Sequence, residues 1–282
     1  MLRDVRHTIS DGLLGFATST GDGLHVKIGV SPITADTPIV ITGSMTAARI
    51  KEALGLSPLA DAAMTSVQFG ANRLFCIPVS ASTPGSTGEV THQGSGGGSL
   101  TVEGSPTNAF SFIVKITGQG GLNTAAFAVS IDGGFSYTDE ITVPVSGAYE
   151  ITGTGLTLKF AEAAEAEQKP SSFLAGDTYT FQTVAPTMTN GDVLAAIEKL
   201  RNFNQEFEFV HIVGGSTLAL WQAVSTAQKE LMDTYHKPAF FILEAAYPED
   251  SGDLTNWALQ MEADRKKISS TDLQVVAGWG RL

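Results

Sequence analysis

The spacing of apolar residues along this 282-residue chain changes twice. Up to residue 79 the runs LHVKIGVS, PIVITG and RLFCIPV are nearly continuous in apolar residues, as strands buried on both faces are. Between them the period lengthens to three or four. Ala47, Ile50 and Leu54 share one helical face, with Ser44 as the expected N-cap and Gly55 as the stop. A second helix follows, with Ser57 as N-cap, Pro58 at the first position and an apolar stripe of Leu59, Ala62, Ala63 and Val67.

Near residue 110 the period becomes two. AFSFIVKIT places Phe110, Phe112, Val114 and Ile116 on one face, with Ser111, Lys115 and Thr117 opposite. AFAVSI, EITVPV, AYEITG, LTLKF and TYTFQT repeat the pattern between turn residues, which predicts a small antiparallel sandwich. Asp132-Gly133 suggests a hairpin turn. The tract THQGSGGGSL reads as a flexible, solvated loop tip.

Beyond residue 186 the strand and helix rhythm returns. Asn190 is the expected cap of a helix carrying Val193, Ile197 and Leu200, and FEFVHIV follows as a buried strand. Ser216 is the expected cap of a long helix aligning Leu220, Val224, Ala227, Leu231 and Tyr235 ahead of the strand AFFILEA. A last helix, with Asp253 at its start and Lys266 and Lys267 near its end, turns Leu254, Trp257, Met261 and Ile268 inward before LQVVAGW. The fold expected is α/β (α+β overall): a mixed, mostly parallel sheet flanked by helices, with an inserted all-β sandwich domain.

Composition sharpens the boundaries. Residues 85 to 185 contain no arginine and set ten acidic side chains against three lysines, Lys115, Lys159 and Lys169. The expected division is an N-terminal arm at 1–20, a discontinuous α/β core at 21–84 and 186–282, and an outward-facing insert at 85–185. A net charge of −12 with no Lys/Arg cluster argues against nucleic acid as a partner. The start, MLRDVRHTISDGLLGF, is charged throughout and lacks the apolar stretch of an export signal, so synthesis and retention in the cytosol are expected. No run is long and apolar enough for membrane insertion.

The order of several segments is similar to that in the tail sheath proteins of contractile bacteriophages and related injection machines. IGVSP, TPIVIT, LGLSPLADAA and FGANRLFCIPV stand in that family's order, and EFEFVHIVGGST, the long helix and KPAFFILEAAYPED resemble its core. The resemblance covers roughly residues 20 to 80 and 190 to 280. It implies a structural subunit of the virion tail, assembled in the bacterial host cytoplasm, whose copies stack in rings around a tail tube and contract to drive the tube through a cell envelope. The implied partners are further copies of the chain, bound by strand exchange, together with tail tube and baseplate proteins. The insert is similar to the decoration domains such proteins carry. For strand exchange the candidate arm is residues 1 to 20, with Leu2, Val5 and Ile9 alternating with polar neighbours, and the candidate acceptor is the strand from Leu273 through Val275 to Trp279. Family members commonly continue into a C-terminal region that helps form the inter-subunit mesh, whereas this chain stops at Leu282.

Chemistry has few footholds. No G-x-S-x-G elbow occurs. GGST at 214–217 sits where backbone amides could cradle an anion, but no lysine follows as in a P-loop, so Ser216 reads as a cap. Glu244, at the end of a parallel strand and followed by Asp250 and Asp253, is where a carboxylate would act if the chain were an enzyme. His7, His25, His92, His211 and His236 show no metal-ligand spacing, and Cys76 lies in an apolar run as a buried thiol. No catalytic, cofactor-binding or metal site is expected. Phe135, Tyr137 and Tyr149 leave open a second reading, a surface-binding module whose insert stacks on sugars, and another tail or baseplate structural role is equally compatible.

Overall fold

A computed structural model describes residues 23–248 and 254–277. In chain order it contains β1 (His25–Val30), β2 (Ile39–Thr42), α1 (Ala47–Leu54), α2 (Pro58–Gln68), β3 (Arg73–Val79), β4 (Ser86–Thr87), β5 (Thr91–Gln93) and β6 (Ser99–Gly104). Then come β7 (Ser111–Gly118), β8 (Ala126–Ser130), β9 (Ile141–Thr142), β10 (Ala148–Ile151), β11 (Leu156–Ala161) and β12 (Thr178–Val184). The remainder is α3 (Asn190–Glu198), β13 (Phe209–Ser216), α4 (Leu218–Asp233), β14 (Phe240–Ala245), α5 (Leu254–Arg265) and β15 (Leu273–Val276).

The two outer segments build one six-stranded sheet in the order β15-β14-β13-β1-β3-β2. All neighbours are parallel except β2, which runs antiparallel to β3. The seam between the segments is β1 against β13, with Val26 opposite Val210 and Ile28 opposite Ile212. These side chains enter the larger core with Phe241 and Leu243, covered by Val193 and Ile197 of α3 and by Trp221 and Val224 of α4. The opposite face buries Leu74 and Cys76 under Ile50 and Leu54 of α1 and Leu59 and Ala63 of α2. A sheet covered in this way requires strands without alternation, and β1 is buried at every position.

Local chemistry sets the helix ends. Ser57 caps α2 through a bond from Ala60 N, and Pro58 fills the first position. The other three expected caps are corrected. Thr46, not Ser44, caps α1. Thr189, one residue before Asn190, closes a capping box with Asp192. Ser216 ends β13, and its hydroxyl is occupied elsewhere: it donates to Glu244 O and accepts from the Trp221 indole at 2.8 Å. Trp257, Met261 and Ile268 pack on the larger core as expected, but Leu254 is 41% exposed. Asp253 lies outside the described residues.

Residues 86–184 form two antiparallel sheets, β10-β11-β6 and β4-β12-β7-β8-β9, with β5 also paired to β12. They share a core of Phe112, Phe127, Phe160, Phe173, Tyr179 and Leu158. EITVPV contributes only two residues to a strand. Asp132-Gly133 makes no two-residue hairpin. Its carboxylate instead organises a longer loop, bonded by the Ser130 and Ser136 hydroxyls and by Ser136 N. The Gly/Ser tract is also not a free loop tip. Thr91–Gln93 pairs with β12, and the Ser95 and Gly96 amides, with Leu174 N, all donate to the buried carboxylate of Asp177. The chain leaves and re-enters the α/β region side by side, through the Thr83–Thr187 bridge. Asn108 donates to Asp61 of α2 at 2.7 Å and ties the two regions together.

Candidate functional site

The described residues present two features beyond a packed core: the open edges of the central sheet, and a row of ionisable side chains across its middle. The edges differ in kind. β2 and β15 are equally short, but β2 follows directly on Pro38, a residue that discourages further pairing. β15 pairs with β14 on one side and with no described strand on the other, and its sequence, LQVV, contains neither proline nor charge.

Of the six residues expected at a subunit interface, Leu2, Val5, Ile9 and Trp279 lie outside the described residues. Leu273 and Val275 stand on β15, where their side chains pack against the larger core. They therefore hold the edge strand in place, and what β15 offers a partner is its backbone together with Gln274 and Val276 on the other face. That face of β14 and β15 is half open. Phe240, Ile242 and Glu244 are only partly buried there, whereas α2 reaches no further than β13.

The row starts on β1, which α2 covers, and runs outward to β14. Lys27 on β1 is 5% exposed, and its ammonium lies 2.9 Å from Nδ1 of His211, the residue beside it on β13. His211 Nε2 is 2.9 Å from Glu244 Oε1 on β14, and the Gly214 amide donates to Glu244 Oε2 at 3.3 Å. Cys76 flanks Lys27 on β3. Burial pulls the Lys27 amine down to about 8, against the upward pull of Cys76 and Glu244. Burial pushes the Cys76 thiol up to about 12, which fits an inert core residue. For Glu244 burial acts upward, but the bonds from His211 and Gly214 and the Lys27 charge outweigh it and hold the carboxyl below its usual range.

Glu244 also borders a groove of about 790 Å³ at the carboxyl ends of the parallel strands, between the sheet and the β region. Its walls are mainly apolar, from Val30, Met188, Val193, Ile212 and Leu220, with Asp61 already bonded to Asn108. Both oxygens of Glu244 are engaged. Among the described residues no group of three or more His, Cys, Asp or Glu could hold a metal ion. The Gly214 amide, in the GGST segment where a cap is expected in preference to an anion cradle, donates to Glu244.

The row was missed in the sequence as an arrangement, although its signal was present. Lys27, His211 and Glu244 each interrupt an otherwise apolar parallel strand, HVKIGV, FVHIVGGS and FFILEA. Of the three aromatic residues singled out for sugar contact, Tyr149 is half-buried and packs edge-on against Phe127 at 5.3 Å. Phe135 is 94% exposed and Tyr137 45% exposed, both on the loop organised by Asp132.

Comparison with known proteins finds a family match over almost the whole chain: residues 2–282 fit the family described as DUF2586, N-terminal domain. No curated protein matches. Among solved structures, a sheath tail protein from Listeria innocua is similar at 14% identity and a TM-score of 0.34, over 79% of this chain and 48% of that one. One from Desulfitobacterium hafniense is similar at 16% identity and a TM-score of 0.40, over 82% of this chain and 52% of that one. A family two carbohydrate esterase from Cellvibrio japonicus is similar at 7% identity and a TM-score of 0.19, over 68% of this chain and 89% of that one. The chain spans about half the length of the two sheath tail proteins.

Proposed function

We propose that this chain, which belongs to the DUF2586 family, is a structural subunit of a phage tail that works by assembling with copies of itself and not by catalysis. The observation that carries the reading is the single sheet built from both outer segments and ending on β15, an edge with neither proline nor charge to block a further strand. The order of IGVSP, TPIVIT, LGLSPLADAA and FGANRLFCIPV, similar to that of contractile tail sheath proteins, supports it from the sequence side.

In its finer form the proposal is a sheath. Copies stack in rings around a tail tube, backbone hydrogen bonds across added strands link neighbours, and contraction is a change between two packings of the same bonded lattice. The region 85–185 forms a separate module on the outside, and tube and baseplate proteins are the remaining partners. Negative-stain microscopy of the purified full-length protein tests this: rings or striated tubes are expected, and a dispersed monomer at high concentration overturns it.

A second reading is favoured by one observation, the 94% exposed Phe135 on a loop fixed by Asp132. A presented aromatic ring suits stacking on a sugar, as in a surface-binding module. Glycan binding lost in Phe135→Ala, with assembly unaffected, is the outcome that separates this role from the first.

A further inference from the structure

We propose that the Lys27, His211 and Glu244 side chains form an acid-operated clasp that holds the bulge in β13, and with it the carboxyl ends of β13 and β14, in place. The pairing of β13 with β14 shifts register between Ile212 and Gly215, and Gly214 sits there at φ +110°, a conformation open to glycine. At Gly215 a Cβ would lie 3.0 Å from Ala246 Cα, a contact that a side chain could make only if β14's end shifted. The bulge is thus an insertion that relies on glycine, shortly before α4, and the Gly214 amide is bonded to Glu244 Oε2.

The geometry fixes the proton inventory. A lysine ammonium only donates, so Nδ1 of His211, 2.9 Å from Lys27 Nζ, accepts. The one ring proton then sits on Nε2 and is donated to Glu244 Oε1. The row reads ammonium, neutral imidazole, carboxylate. A second ring proton, taken from solvent, would have to occupy Nδ1 and point at the ammonium. The imidazolium must leave Lys27, and because the His211 side chain is 18% exposed it has an outward path. Its bond to Glu244 Oε1 goes with it and draws Oε2 from Gly214.

The other charged groups on this face do not substitute. β1 adds His25, stacked on Phe209 and bonded to Gly23 O and Ser66, with burial lowering its own affinity for a proton. β3 brings the Cys76 thiol, α2 brings Asp61, already bonded to Asn108, and β15 brings only Gln274 and Val276. The clasp is therefore local, and it ends at the groove bordered by Gly214, Gly215 and Glu244.

Histidine-ring NMR on the full chain, with hydrogen-exchange protection of residues 213–216 followed from about pH 8 to about pH 5, tests the proposal. The expected result is the Nε2–H tautomer of His211 at neutral pH, and a roughly tenfold loss of protection at 213–216 that follows the protonation of His211. In Glu244→Gln one acceptor oxygen is left for two donors, His211 Nε2 and Gly214 N, so the clasp is incomplete and protection at 213–216 is below that of the wild type at neutral pH. An Nδ1–H tautomer at neutral pH, or protection in the wild-type protein that stays constant while His211 takes up its proton, overturns the clasp. The wild-type measurements decide the matter even if the variant does not fold.

Discussion

At the scale of single residues, the interior of this sheet is governed by what each polar atom is bonded to. Ser216 illustrates it: the hydroxyl accepts from Trp221 Nε1 and donates to Glu244 O, joining β13, α4 and β14. Ser216→Ala strands a fully buried indole N–H, and a loss of about 1–3 kcal/mol in chemical denaturation is expected. Lys27 makes a prediction in pH. Its folded value of about 8 lies below the ordinary 10.5, so between these the unfolded chain holds the proton and the folded one does not. Stability therefore rises with pH from about 8, by roughly 1.4 kcal/mol per unit. Cys76 acts in the opposite sense: with its folded value at about 12 against 9.0, stability falls as pH rises between these values. The two offset each other from pH 9.0 to pH 10.5. Denaturation curves should show stability climbing between pH 8 and 9, level just above pH 9 and falling beyond about pH 10.5, while Lys27→Met is flat at first and declines above pH 9.

At the scale of elements, the sequence is most legible where the signal is local. Ser57-Pro58 announces α2, the continuous apolar runs announce β1, β3, β13 and β14, and the period-two runs announce β7, β11 and β12. It is least legible where a distant partner decides. THQGSGGGSL looks free because glycine and serine are free in isolation, yet Asp177, 82 residues from Ser95, supplies the anion that its amides collect. Lys27 and His211 are separated by 184 positions, and only the β1–β13 register brings them together. The candidate edge was legible as a strand near Leu273, but not the direction of its side chains. Asp177→Ala should release the tract: three backbone amides lose their acceptor, a cost of at least about 1–3 kcal/mol, and residues 94–98 lose hydrogen-exchange protection. Protection unchanged from the wild type would show that β5 alone holds the tract.

At the scale of the whole molecule, the chain crosses between the α/β region and the β region at the adjacent positions Thr83 and Thr187. An excursion that starts and ends at one place, with its own core of phenylalanines, is expected to be removable. Joining residue 84 to residue 186 through a short glycine linker should leave a cooperatively folding α/β body with its sheet intact by circular dichroism, slightly destabilised by loss of the Asn108–Asp61 bond. The proposed assembly should survive the deletion, because the open edge at β15 lies at the far end of the sheet order from β2 and β3 and belongs to the second outer segment. That edge is the centre of the account. Its most direct test compares hydrogen exchange across Leu273–Val276 in the purified protein under dilute, dissociating conditions and in concentrated, assembled material. The account predicts that the amides of β15 not bonded to β14 become protected on assembly, and that Val276→Lys, which charges the edge, abolishes both the protection and the assembly. Assembled particles in which β15 exchanges as fast as in the monomer would contradict it.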